Sequence, residues 1–550
     1  MRKRLANAKT RNETGFDYVL ASINVNTPFG RKAIKEKSPY FPGEENLLRQ
    51  EFEKLGTILR FISENPDDAG ELLRIFMETK DISFTISRSG KDTLSVVELF
   101  EIKSLLLKMG RISKILSDSP VKIPESYLLE DLDALLSTLD PRSDRMDTFY
   151  VYDEFSEALS EARKRKRDFE GSIRRQQKKQ KEAIMEKYGV ALTPRFDCLV
   201  SKTSAEQIKM MNGIPELVKS EEDYVSVTFA LRGDAETDKL LAQLDDAIQV
   251  IEQQELLVRE RLSLEIAGYE TGLLENCAKI GELDVAVAKA LYAQKHGCTI
   301  PEIREEHVIE IEDGRHLQVE DVLASKAKAY CPVSLSLTDG VTCITGANMG
   351  GKTVSLKLAG LVPLLAQYGF FVPCKRASLG LSNYMQILIG DNQSLDRGLS
   401  GFGSEMETLK EMLDNGETRA LFLIDEIASG TNPQEGFALT KGLIAYLKGK
   451  PYISLFTTHF DVGAEGGVVN LLVAGLAGVD FGKLDKELRY ASRRERINII
   501  SKHMDYRLHI AAGGKEVPRD ALNIARMLGI NDEIIEHARK ICNNDKGGNG

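Results

Sequence analysis

The sequence predicts an α/β domain built on a parallel sheet, preceded by a mainly helical region that carries a small strand-rich tip. Three observations lead there. Through the first 330 residues apolar side chains recur at three- and four-residue spacing, the period of a helix. From about Gly340 short apolar strands alternate with helices, as in parallel sheets. Between helical stretches, residues 195–231 are rich in Val, Phe and Tyr and are punctuated by turn residues.

Composition sets the outer limits. The chain has 550 residues, 42% hydrophobic and 28% charged, which is ordinary for a globular protein with several domains. Collagenous, mucin-like and wholly disordered classes are excluded. Lys and Arg number 73 against 83 Asp and Glu, a net charge of −10. Any contact with a polyanion must therefore use a local basic patch. The 7 cysteines form no C-x-x-C pair, which argues against a disulfide framework or zinc site and for a reducing compartment. The basic start lacks an apolar core, so no signal peptide is visible. The most apolar stretch, 358–373, contains Gln367 and two prolines and falls short of the ~20 residues of a membrane span. A soluble, cytoplasmic protein without a membrane partner is expected.

The elements follow in order. Residues 47–62, 94–116 and 127–139 read as core helices. Residues 163–187, from Arg163 to Lys187, hold eleven Lys or Arg and four Asp or Glu, with few apolar positions. Such a helix buries little of itself. It is either a solvated face or a surface that meets phosphates without sequence preference. After a break at 189–194, residues 195–202 and 217–231 read as strands, with Asn212-Gly213 as a turn between them. Helix resumes through 234–269 and again over 274–296. The segments divide into a helical core (1–160), an arm with its strand tip (161–255), returning helices (256–330), the α/β domain (331–505) and a C-terminal helical segment (506–550).

Chemistry concentrates in the α/β domain. Residues 346–353 read GANMGGKT, a G-x-x-x-x-G-K-[ST] phosphate loop lying between the strand 341–345 and a helix. Gly346, Gly350 and Gly351 let backbone N–H groups face phosphate oxygens at a helix N-terminus. Lys352 carries charge to the β- and γ-phosphates, and the Thr353 hydroxyl is a Mg²⁺ ligand. ATP and Mg²⁺ are the expected cofactors. The strand 420–424 ends in Asp425-Glu426. There Asp425 is expected to hold the Mg²⁺ shell and Glu426 to activate the attacking water. Thr457-Thr458-His459 follows the next strand, placing His459 to bond the γ-phosphate. Residues 399–403, LSGFG, resemble the LSGGQ signature of ABC-type ATPases. In those ATPases the serine, here Ser400, binds nucleotide held by a neighbouring subunit, which implies a dimer.

With these motifs in place a family becomes visible. GANMGGKT, with its Asn348-Met349 pair and the following Val354, resembles the phosphate loop of the MutS family. IGDNQSLDRGLSGFGSEM, LIDEIASGTNPQEG and TTHF resemble that family's signature, acidic-strand and histidine segments. The pattern is most similar to the second bacterial MutS subfamily, which has no mismatch-reading domain. ELDVAVAKALYA, FDYVLASINVNTPFGRKAI and ALNIARMLGINDEIIEHARKI extend the resemblance to the core-closing helix, the opening segment and a dimerising helix pair.

The resemblance implies an ABC-like ATPase domain, a core and lever, and a clamp tip on the arm. It implies a homodimer that closes on duplex or branched DNA through residues 163–187. It also implies that Asn348, Met349 and Val354 line the nucleotide site, and that Tyr330 packs near adenine. Ala347 and Gly401 depart from the family pattern without replacing a catalytic side chain, and Cys331-Pro332-Val333 departs beside Tyr330. The chain reads to Gly550 with no segment like the subfamily's Smr nuclease, so neither nuclease nor mismatch reader is expected. Phe155-Ser156-Glu157 matches a Phe-x-Glu wedge literally, but within a helical stretch, where chance explains it.

Two functional readings follow. One is a DNA-binding ATPase clamp that acts on structured or mismatched duplex in repair or recombination control. The other is the same ATPase acting on a protein partner as a chaperone or reactivating factor. A transporter-type or SMC-type ATPase is disfavoured, because Ser400 follows Lys352 too closely in the chain.

Overall fold

A computed structural model describes residues 4–346, 351–390, 401–416, 418–429, 431–458, 467–476, 479–488, 493–511 and 520–544. Asn348, Met349, Gly350, Ser400 and His459 lie outside the described residues. The chain forms two compact units. One comprises Met1–Met77, Ser119–Tyr127 and Gly281–Gly550, the other Glu78–Asp118 and Leu128–Ile280.

The first unit is organised by a six-stranded sheet. Its strand order is Asp505–Ile510, Val468–Gly475, Gly340–Thr345, Tyr452–Thr457, Ala420–Asp425, Tyr384–Ile389. Every neighbouring pair is parallel except the edge strand Asp505–Ile510, which runs antiparallel to Val468–Gly475. Parallel strands are covered on both faces and read as continuous apolar runs. Ala420–Asp425 is buried at all six positions. The helix Lys352–Gln367 is buried almost throughout, which is why 358–373 is so apolar: it is core.

The N-terminal segment protects the other edge. The Met385 N–H donates to the Leu5 carbonyl at 2.7 Å, and the Ile387 N–H to the Thr10 hydroxyl at 3.2 Å. An edge so paired is closed to further strands. Two segments read separately in the sequence also meet here. The buried Asp284 carboxylate accepts from the Thr27 N–H (2.6 Å) and hydroxyl (2.8 Å). Thr27 in turn caps the helix Pro28–Glu36. Gly281 lies so close to Phe29 that a Cβ would come within 2.7 Å of its backbone.

A four-stranded sheet in this unit was not foreseen. It runs Glu302–Arg304, Arg376–Gly380, Val308–Gly314, Val333–Thr338. Helix thus gives way to strand at residue 302, within a region read as mainly helical.

The second unit contains the basic helix, Glu157–Tyr188, packed along the returning helix Ala235–Gly268. Ser156 caps the first by accepting from the Leu159 N–H, and Gly189 ends it in a left-handed conformation (φ 73°). Asp234 caps the second through the Thr237 N–H at 2.8 Å. The tip is an antiparallel sheet, Asp197–Ser201, Ser226–Leu231, Leu217–Glu222, with its own small core around Phe229, Val227 and Leu217. The stretch read as one strand over 217–231 is therefore a hairpin. Phe155 ends a 3₁₀ turn, and Ser156 and Glu157 open the helix rather than lying inside one. The Phe155 ring is buried against Phe149 and Tyr152. Elsewhere in this unit Lys103, fully buried, bonds Asp140 at 3.0 Å, so neither charge is left uncompensated. Among the described residues no helix is long and apolar enough to cross a membrane.

Candidate functional site

The site forms where the parallel strands end. The strand Gly340–Thr345 runs into Gly346, whose φ of 141° only glycine adopts readily. The chain re-enters regular structure at Gly351, the N-cap of the helix Lys352–Gln367, with φ 78°; glycine has no side chain to cap the helix N–H groups. Uncapped N–H groups at a helix start suit an anion.

Lys352 is the first helical residue. Only 4% of its surface is exposed. Its Nζ donates to the Gly346 carbonyl at 2.9 Å and lies 3.5 Å from Glu426 Oε1. Burial lowers its pKa, and the Glu426 and Asp425 carboxylates oppose that fall.

Thr353 Oγ1 donates to Asp425 Oδ2 at 2.9 Å. Asp425, buried at the end of its strand, pairs in register with Thr457, whose hydroxyl donates to the other carboxylate oxygen. The carboxylate is thereby held between two hydroxyls from two different elements. Glu426 follows at φ 46°, left-handed for a residue with a side chain. Its N–H donates to the Thr457 carbonyl at 3.1 Å, and its side chain is one-third exposed. Val354 is half-buried on the same helix turn. Thr458 is buried and donates its N–H to the Ile344 carbonyl at 3.2 Å.

Of the residues singled out in the sequence, Gly346, Gly351, Lys352, Thr353, Asp425 and Glu426 come together here. Tyr330 is half-buried among the His316 backbone, Glu320 and Cys374, and burial pushes its pKa up to about 12. An aromatic ring that does lie beside Gly351 is that of Tyr506: a Cβ on Gly351 would lie 3.2 Å from its Cδ1. Three residues escaped the sequence reading: Thr457 as a partner of Asp425, Tyr506, and Glu405. Glu405 is buried and accepts from the Ala428 N–H at 3.1 Å, two residues after Glu426. Glu405 and Thr457 were signalled only by their places in SGFGSEM and TTHF; Tyr506 carried no signal.

On the arm, helix phase sorts the cations. Arg163 is half-buried and bonds both Asp153 and Glu255 at 2.5 and 2.6 Å, so it is committed within the fold. Lys181 donates to the Thr193 carbonyl at 3.1 Å. Lys164, Arg167, Arg174 and Lys178 are exposed and recur at three- and four-residue spacing around Gly171, on one line of the helix. That line lies opposite the packed residues Ala162, Ile173 and Ile184. Lys164, Arg167, Arg174 and Lys179 make no ion pair among the described residues.

Comparison with known proteins finds MutS relatives. Residues 342–472 match the model for MutS domain V. The curated relatives are proteins named Endonuclease MutS2. That of Clostridium botulinum (strain ATCC 19397 / Type A) is 31% identical over 315 residues, 54% of this chain and 36% of that protein. The Carboxydothermus hydrogenoformans protein is 33% identical over 275 residues, 48% of this chain and 31% of its own. The chain thus carries a MutS domain V and resembles proteins of the MutS family. The Lactiplantibacillus plantarum relative extends the likeness to 466 residues at 29% identity, 82% of this chain and 55% of that protein. These relatives place the MutS resemblance in the second subfamily. The chain spans from about a third to just over half the length of these relatives. The domain V match contains Lys352, Thr353, Asp425, Glu426 and Thr457, whereas Tyr330 and the basic arm lie outside it.

Proposed function

We propose that this chain is an ATP-dependent DNA-binding protein: a dimeric MutS-family ATPase clamp acting on structured or mismatched duplex DNA in repair or recombination control. The observation that carries the ATPase half is the Thr353–Asp425–Thr457 chain of bonds at the ends of parallel strands, with Lys352 and Glu426 beside it. One hydroxyl and one carboxylate fit Mg²⁺, which takes few protein ligands and keeps waters and phosphate oxygens for the rest of its octahedron. Gly351 and its uncapped helix start fit a phosphate chain.

On this reading each residue has a task. Lys352 and the N–H groups of the loop bind and orient the β- and γ-phosphates. Thr353 and Asp425 would hold Mg²⁺, which when bound would neutralise charge on those phosphates. Thr457 fixes the Asp425 carboxylate by occupying its second oxygen. Glu426 accepts a proton from the attacking water and is aimed by its left-handed backbone. His459 and Ser400 complete the site, His459 in the same subunit and Ser400 from the other. Tyr330 is assigned to the adenine side.

The DNA half rests on the arm. Four exposed cations share one line of the helix, and phosphate contacts of this kind bind without sequence preference. The arm is the clamp, its tip the small sheet, and the returning helices the lever. The test is paired: ATP hydrolysis by the wild type and by Glu426→Gln, and mobility shift on branched against linear duplex. Hydrolysis without any DNA shift would favour the reading in which the same ATPase works on a protein partner.

A further inference from the structure

Glu405 is a buried carboxyl on the helix Gly401–Asn415, 8% exposed, and it reaches into the turn that follows the acidic strand. That turn is strained twice, at Glu426 (φ 46°) and at Ala428 (φ 61°), neither of which is glycine. Left-handed residues with side chains persist only where their surroundings over-determine them. Ala428 is held from two sides. Glu405 Oε2 accepts its N–H at 3.1 Å. On the other side Gly436 lies so close that a Cβ there would come within 2.9 Å of the Ala428 carbonyl oxygen. Room for the Glu405 carboxyl is made by Gly390, where an added Cβ would sit 2.9 Å from Oε1 and 3.7 Å from the Glu426 carbonyl oxygen.

We propose that Glu405 is a positioning residue: by holding the Ala428 N–H it fixes the strained turn that aims the Glu426 carboxylate. It touches no reacting atom and acts through the backbone of residues 426–428. The inference deepens the ATPase reading and rests on it for its kinetic consequence, but not for its structural one. Burial raises the pKa of the Glu405 carboxyl, so the neutral amide of glutamine is a near match whose oxygen still accepts the Ala428 N–H.

The experiment uses the full chain. Glu405→Ala should lower kcat by roughly 10- to 100-fold, the scale of about 1 Å of misplacement at a reacting group, while KM for ATP changes by less than about twofold, as expected when ground-state binding is kept. Glu405→Gln should recover most of that loss. Gly390→Ala, which pushes the Glu405 carboxyl aside, should resemble Glu405→Ala, and the double variant should be no worse than either single one, because both remove one interaction. Equal losses in Glu405→Gln and Glu405→Ala, or a KM rise without a kcat fall, would overturn the proposal.

Hydrogen exchange, read without nucleotide, separates this inference from the ATPase reading. Glu405→Ala should speed exchange in a peptide spanning 426–429 and leave 421–424 protected, which also shows that the variant is folded. If the wild type hydrolyses no ATP, the ATPase reading fails, and the exchange result alone decides whether Glu405 holds the turn. Unchanged exchange at 426–429 would refute it.

Discussion

If the basic helix meets DNA, the salt dependence of binding should report how many of its cations face one way. Residues 163–187 hold eleven cations, but the fold removes several from consideration. Arg163 is spent on Asp153 and Glu255, and Lys181 on the Thr193 carbonyl. The line Lys164, Arg167, Arg174, Lys178 remains, with Arg175 and Lys179 alongside, and at 1.5 Å per residue it spans about 21 Å. Four phosphates neutralised give a log–log slope of about −3.6, so raising salt from about 50 to 200 mM should weaken binding ~150-fold. Fluorescence anisotropy of a labelled linear duplex, titrated at four salt concentrations, measures this directly. Reversing Arg174, Lys178 and Lys179 to Glu should abolish non-specific binding and leave ATP affinity unchanged. Arg163→Ala should leave the slope alone, since that side chain never reaches solvent freely. No duplex binding by the wild type at moderate salt would refute the reasoning, as would a slope near zero. Either result makes the arm a solvated strut and moves preference to a protein partner.

Other expectations are as specific. Lys352→Ala should weaken nucleotide binding, whereas Glu426→Gln should bind ATP and lose about 10²- to 10⁴-fold in turnover, the usual share of a general base; equilibrium binding beside steady-state hydrolysis distinguishes them. Mixing Ser400→Arg with Lys352→Ala protein should restore part of the activity through one intact composite site per heterodimer. Subunits that exchange and yet stay inactive would count against Ser400 acting across the dimer. Acid should destabilise the first unit through His316, which is 1% exposed and whose pKa burial lowers to about 4 from 6.5. The unfolded chain takes up that proton first, so stability is full above about pH 6.5 and falls by ~3 kcal/mol as pH drops toward 4. Denaturant midpoints of wild type and His316→Leu at pH 7 and 5 check this, the variant showing the shallower decline.

What the sequence discloses depends on how local the cause is. The phosphate loop, the acidic strand and the long helices are written in consecutive residues, and the structure returns the helices to within a few positions: Glu45–Glu64 for 47–62, and Ala235–Gly268 for 234–269. The four-stranded sheet is not local. Val308–Gly314 does alternate Ile with Glu, but one of its partners, Arg376–Gly380, lies beyond the whole phosphate-loop helix in the chain. The tip hairpin hid for a different reason. Its turn has neither Gly nor Pro; Asp223 makes it, accepting from the Val225 and Ser226 N–H groups at 2.7 and 2.6 Å. In the basic run the five cations 163–167 look equivalent until helix phase points Arg163 inward. Thr457, Tyr506 and Glu405 owe their places to approaches between segments distant in sequence, which no spacing reveals.

Lys352 shows why those distant approaches matter for the proposed chemistry. A buried ammonium needs partners, and it has the Gly346 carbonyl and the Glu426 carboxylate. A γ-phosphate seated on the loop competes with Glu426 for the same Nζ. The Glu426 backbone cannot follow, because the Thr457 carbonyl holds its N–H and the turn beyond it is pinned at Ala428. Only the side chain can swing away, and a third of it already faces solvent. Binding the phosphate and releasing the carboxylate toward water are then one event. A carboxylate held against Lys352 is turned away from an attacking water. Once the phosphate takes over the lysine, that tie is released. On this argument the carboxylate proposed as general base stays engaged until the group to be attacked has arrived, through a turn pinned at Ala428 and one shared lysine.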